Sequence, residues 1–113
     1  MIMNVLKSLP ATQIELPIEA IRALCDKYGV EQLAVFGSVL RNDFRPDSDV
    51  DFLVEFKNND YGPWMSKLMD LEEELSLLLQ RKVDLVSKNG IEQSRNWIRR
   101  KSILQSAQVI YES

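Results

Sequence analysis

Asp49 and Asp51 stand two residues apart at the head of a run in which Val50, Phe52, Val54 and Phe56 alternate with Asp49, Asp51, Leu53 and Glu55. That period of two reads as a strand, and on a strand both carboxylates project from one side, roughly 7 Å apart at the backbone. Two like charges so placed repel, and Asp is depleted in strands. A divalent cation is one answer, since Mg²⁺ is held by one or two carboxylates plus phosphate oxygens and water. A polar strand face turned to solvent is the other. Gly37-Ser38 ends the apolar run Leu33-Ala34-Val35-Phe36 just where a helical turn has room to begin. Backbone N–H groups exposed there favour a phosphate, although an ordinary turn uses the same two residues. Asp84, between Val83 and Leu85 in another short apolar run, is costly to bury unless paired or metal-bound. Together the three acids would form a carboxylate cluster beside a phosphate cradle.

The composition narrows the chemistry further. Histidine is absent and Cys25 is the one cysteine, so imidazole bases, His-ligated metals and disulfide frameworks are excluded. Acid–base or metal work falls to carboxylates, which favour hard cations. The length of 113 residues suits one domain, 1–113, with 1–16 as an N-terminal extension. The net charge of −3 argues against nucleic-acid binding by bulk positive charge. Residues 81–101 nevertheless carry seven Lys/Arg against Asp84 and Glu92, a net of +5, and leave −8 on the rest. This suits a phosphate-bearing ligand or an acidic partner, and equally a solvated helix face. The apolar run in Met1–Leu9 is short for a secretory signal, and no stretch approaches the roughly 18 apolar residues of a membrane span. A cytoplasmic protein is expected.

Helical and strand signals alternate along the chain. Pro17 opens a helix at its first position and Gly29 closes it, with Ile18, Ile21, Leu24, Cys25 and Tyr28 on one face. Cys25 lies on that stripe and reads as a buried small hydrophobe. Strands follow at 33–36, around 50–56 and at 83–86. Between the last two, Trp64 to Leu79 reads as a helix with Trp64, Leu68, Leu71, Leu75, Leu78 and Leu79 inward and Glu72-Glu73-Glu74 outward. A loop through Asn89-Gly90 leads to a last helix from about Gln93 to Tyr111, burying Trp97, Ile98, Leu104, Ala107 and Ile110 or Tyr111. Strands separated by helices give an α/β layer architecture.

Gly37-Ser38, ten intervening residues, then Asp49-Val50-Asp51 resembles the signature of the nucleotidyltransferase superfamily that includes DNA polymerase beta. The string GSVLRNDFRPDSDVDFLVEF is similar to its minimal nucleotidyltransferase branch, Asp84 in KVDLV matches the third carboxylate, and RNWIRRKSILQSAQVIYES resembles the end of that branch. The likeness spans roughly residues 18–113. It implies a small mixed β-sheet flanked by helices, and an antitoxin enzyme paired with a HEPN-domain ribonuclease toxin. Its implied activity is transfer of AMP from ATP to a toxin tyrosine, using two Mg²⁺ ions. On that resemblance Asp49 and Asp51 hold both ions, and Asp84 ligates the ion at the acceptor hydroxyl and takes its proton. Gly37 and Ser38 grip the β- and γ-phosphates.

Some assignments stay open at this level. Arg41 either faces the phosphates or pairs with Asp43 or Asp47. Ser48 orients the turn before Asp49, while Lys88 and Arg95 serve nucleotide, partner or structure. Trp64 is either core or an interface anchor. Two other functions stand beside the first: a binding-only antitoxin that acts by occlusion, and a small-molecule nucleotidyltransferase. No primer-binding domain or stacking strip is evident, so neither a membrane nor direct nucleic-acid contact is expected.

Overall fold

In a computed structural model that describes residues 14–41 and 44–113, a four-stranded mixed sheet separates two helical layers. The first nine residues and Asp43 lie outside the described residues. Helix α1 (Ile18–Tyr28) follows Pro17, which stands at the N-cap instead of the first helical turn, and Gly29 ends it in the left-handed region at φ 69°. Strand β1 (Val30–Phe36) runs straight into a 3₁₀ turn at Gly37–Leu40. Strand β2 (Val50–Phe56), helix α2 (Ser66–Leu79) and strand β3 (Val83–Ser87) come next. Short helix α3 (Lys88–Glu92), helix α4 (Trp97–Ser106) and strand β4 (Gln108–Glu112) complete the order. The sheet runs β3-β2-β1-β4, with β2 and β3 parallel and the other neighbours antiparallel. Among the described residues no helix is long and apolar enough to cross a membrane.

The alternation in β2 sorts the two faces. Val50, Phe52, Val54 and Phe56 point into the main core with Ile21, Cys25, Leu71 and Leu75. Leu53 points the other way, into a smaller cluster with Ala34, Phe36, Ile91 and Ile103 beneath α3 and α4. Asp51 and Glu55 share the parity of Leu53, so they lie on this thinner side. Cys25 is fully buried, and burial foremost, with Asp26 beside it, pushes its thiol up to about 12. It is the inert core residue that the stripe implied.

The ends of two helices depart from expectation. Gly62-Pro63 leads into Trp64 and Met65 at φ 57° and 62°, so α2 begins only at Ser66 and Trp64 is 94% exposed. The expected final helix is instead α4 and β4, and the expected loop through Asn89-Gly90 is the short helix α3. Asn96 caps α4 by accepting from the Arg99 N–H at 3.1 Å. Ile103 and Ile110 are buried, whereas Trp97 and Ile98 are 60% and 64% exposed and Leu104 is exposed as well. The helical spacing of Leu104, Ala107 and Ile110 is an accident of a helix abutting a strand. The β-prone trio Val109-Ile110-Tyr111 decides the conformation there.

Nor does the whole acidic run of α2 face solvent idly. β3 is an edge strand, and its Leu85 N–H donates to Glu72 Oε2 at 2.9 Å. Glu74 accepts from Lys27 Nζ at 3.0 Å and from the Tyr28 hydroxyl, tying α2 to α1. Glu73 is exposed. Glu72→Ala is therefore expected to cost about 1 kcal/mol by stranding an edge donor. Glu73→Ala should stay within about 0.5 kcal/mol. Urea unfolding midpoints check the contrast, and equal midpoints contradict it.

Candidate active site

Sheet register brings the three acids to one end of the molecule. Asp51 pairs with Asp84 across β2 and β3, and with Phe36 across β2 and β1. Phe36 is followed at once by Gly37, so the end of β1 lies beside Asp51. Gly37 has φ +79°, and a Cβ there would meet Asp51 Oδ2 at 2.4 Å. Glycine is needed twice over, for its backbone and for the approach of that carboxylate. Val39, fully buried, anchors the 3₁₀ turn to the core. Ser38 follows Gly37 as a half-buried residue, and its carbonyl accepts from the Arg41 N–H at 2.9 Å.

Asp49 sits one residue ahead of β2, on a loop braced from both sides. Ser48 Oγ accepts from the Arg45 N–H at 2.9 Å, so Ser48 orients the turn as expected. Arg81 donates to the Ser48 carbonyl at 3.1 Å, and its guanidinium lies 4.8 Å from the Phe44 ring centre. The Val50 N–H donates to the Lys82 carbonyl at 3.0 Å. Lys82 Nζ approaches Asp49 Oδ2 at 3.9 Å.

Asp84 is exposed, not buried as the apolar flanks suggested. Val83 and Leu85 face the main core, while the opposite side of this edge strand is open at Asp84. Among the described residues no three acids stand close enough to enclose a cation as they are. Their mutual repulsion is nonetheless felt. Burial first, then the charges of Asp84 and Asp49, push the Asp51 carboxyl up to about 6, against the pull of Arg41 and Arg99.

Arg99 is a residue that the sequence did not single out. With Gly37, Arg41, Asn96, Ile98 and Ser102 it lines a groove of about 510 Å³ between the 3₁₀ turn and α4. The signal available was its place inside the basic stretch, six residues of which gave no reason to prefer it. Arg41 lines this groove as well; Asp43, its alternative partner, lies outside the described residues. Lys88, by contrast, is 3.6 Å from Glu55, at the far end of β2 from Asp51. Arg95 is exposed on the α3–α4 connection.

With this geometry in view, the comparisons with known proteins are specific. The nucleotidyltransferase domain model matches residues 18–110, and the chain belongs to that family. Within it the chain falls with the minimal nucleotidyltransferases. It is 36% identical to a provisionally assigned minimal nucleotidyltransferase of solved structure, covering 80% of this chain and 85% of that one, with a TM-score of 0.62. It is 41% identical over 70 residues to the protein adenylyltransferase MntA of Thermococcus cleftensis, 62% of this chain and 68% of that protein. A structure of a tri-AMPylated Shewanella oneidensis HEPN toxin in complex with MNT antitoxin shares the fold at 17% identity. It covers 85% of this chain and 70% of that one, with a TM-score of 0.53.

The raised carboxyl has a stability consequence with a definite sign. The folded chain holds the Asp51 proton more tightly than the unfolded chain, so ionised Asp51 opposes folding above about pH 6. In chelator, Asp51→Asn should raise stability at pH 7 by about 1–2 kcal/mol, after allowance for solvent screening. The gain should shrink as pH falls through 6 and vanish near 3.8, the ordinary value. A pH series of melting curves checks this, and a gain independent of pH contradicts it.

Proposed function

We infer that this chain transfers AMP from ATP to a tyrosine hydroxyl of a HEPN-domain ribonuclease toxin and thereby silences it. The observation that carries the reading is the register that sets Asp51 beside Asp84 and against the Gly37 backbone. The family membership supports nucleotidyl transfer, and the relative named protein adenylyltransferase supports a protein acceptor. The AMPylated HEPN toxin of the structural neighbour supports the choice of partner.

The residues fit a divalent ion. Asp49, Asp51 and Asp84 offer only hard carboxylate oxygens, and the Asp51 carboxyl is pushed up by burial first and then by the charges of Asp84 and Asp49, charges that a bound cation would offset. These three would hold Mg²⁺. When bound, such ions polarise the phosphoryl oxygens and neutralise charge on the attacking and leaving oxygens. The chain's own groups do the rest. Gly37 lets phosphate oxygens approach the backbone, and Ser38 donates its hydroxyl to them. Arg41 and Arg99 line the adjoining groove and attract the triphosphate. The acceptor oxygen forms a bond to the α-phosphorus as the bond to pyrophosphate breaks. Asp84, exposed on the open side, takes the hydroxyl proton in place of an absent histidine.

Incubated with ATP, Mg²⁺ and its partner, the chain should leave an adduct of about 329 Da per transfer on the partner, an adenylate and not a phosphate. Asp49→Asn should abolish that mass shift in intact-protein mass spectrometry while the fold persists. An unchanged adduct overturns the assignment. Neutralisation that survives Asp51→Asn in full would instead favour binding alone. Gly37→Ala is a further check: the new Cβ displaces the Asp51 carboxylate, and the transfer rate should fall about 100-fold or more. A rate within twofold would contradict the close approach.

A further inference from the structure

We propose that Arg99, from α4, binds the terminal phosphate of the nucleotide across the groove from Gly37 and makes the site select a nucleoside triphosphate over a diphosphate. The proposal rests on the transfer reading above, which seats the triphosphate on Gly37 and Ser38, and it adds the wall that faces them.

Helix α4 is anchored beside the site by its buried residue, Ile103, which packs with Phe36 and Leu53 in the smaller cluster. Arg99 stands one turn earlier on the same helix face, as Asp51 stands two residues before Leu53 on the same strand face. Both side chains therefore lie on the α4 side of the sheet, and the guanidinium pulls against the upward push on the Asp51 carboxyl. The Asn96 side chain accepts from the Arg99 N–H at 3.1 Å, which fixes the turn that carries it. Among the described residues no carboxylate is within ion-pair distance of the Arg99 guanidinium, and the residue is exposed.

The lining decides the ligand. Gly37 and Arg41 wall the groove on the side of the 3₁₀ turn, and Asn96, Arg99, Ser102 and Ser106 wall it on the side of α4. Those four fall at spacings of three and four, a single stripe along the helix. Two guanidinium groups, two hydroxyls and an amide offer donors, and none of the described residues lining the groove is acidic. Such a lining fits a polyanion, and the planar fork of a guanidinium matches phosphate oxygens in pairs. With the α-phosphate at the carboxylates and the chain of phosphates running past Gly37, the last of three reaches the groove. A diphosphate ends short of Arg99.

The test is isothermal titration calorimetry of the full chain in Mg²⁺ with a non-hydrolysable ATP analogue and, separately, with ADP. Arg99→Gln should weaken Kd for the analogue by about tenfold or more, and Kd for ADP by no more than about threefold. Arg99→Lys keeps the charge but loses the fork, so its Kd for the analogue should fall between the two. Lys101→Gln removes a charge from another face of α4 and should leave both Kd values within about twofold. Melting temperature should stay unchanged in all three. An analogue Kd that Arg99→Gln leaves unchanged overturns the proposal, as does a native chain that binds no analogue. An equal loss for ADP overturns it by putting Arg99 on the inner phosphates or the nucleoside, and a loss matched by Lys101→Gln overturns it in favour of general charge. Arg99-dependent binding of the analogue with no AMP adduct on the partner would sink the transfer reading and leave the phosphate site standing.

Discussion

Three carboxylates at one end of a small sheet repel each other, and the rest of the molecule is arranged around that repulsion. The parallel pairing of β2 and β3 sets Asp51 and Asp84 side by side, and the antiparallel return of β1 brings Gly37 against the same acid. Neither neighbour can move without breaking a strand ladder buried on its other face by Val50, Phe52, Val83 and Leu85. The core therefore sustains a local electrostatic cost, as functional sites commonly do. Burial first, and then the charges of Asp84 and Asp49, push the Asp51 carboxyl up to about 6.

The supports of the site are mostly polar and local. Arg81 reaches back from the start of β3 to hold the Ser48 carbonyl, which fixes the loop that presents Asp49. Glu72 occupies the edge donor of β3, keeping the strand that carries Asp84 from fraying or pairing elsewhere. Cations stand around the acids without neutralising them: Lys82 toward Asp49, Arg41 and Arg99 toward Asp51.

Much of this was legible in the sequence because it rests on short-range pattern. The period of two in β2 fixed which side Asp51 takes, and Gly37-Ser38 at the end of an apolar run located the turn. What escaped depended on long-range placement. Asp84 has the apolar flanks of a buried residue, and only the sheet order reveals an edge strand with one open side. Arg99 is one cation among seven in its stretch, and the packing of α4 across the end of β1 distinguishes it. Trp64 departs from the inward place its spacing implies for a local reason, since the backbone after Gly62-Pro63 enters the left-handed region at Trp64 and Met65, just where the helical periodicity begins. The last strand was hidden because Leu104, Ala107 and Ile110 happen to keep helical spacing across the α4–β4 junction.

On the proposed function, Asp49, Asp51 and Asp84 jointly hold divalent cations against a triphosphate lying on Gly37 and Ser38. A crystal grown with a non-hydrolysable ATP analogue and Mn²⁺, with diffraction recorded at the manganese edge, tests it most directly. Anomalous peaks ringed by oxygens of those three carboxylates are expected, with the β- and γ-phosphates on the Gly37-Ser38 backbone. Manganese bound elsewhere, or a triphosphate seated away from Gly37 while the three acids stay apart, would contradict it.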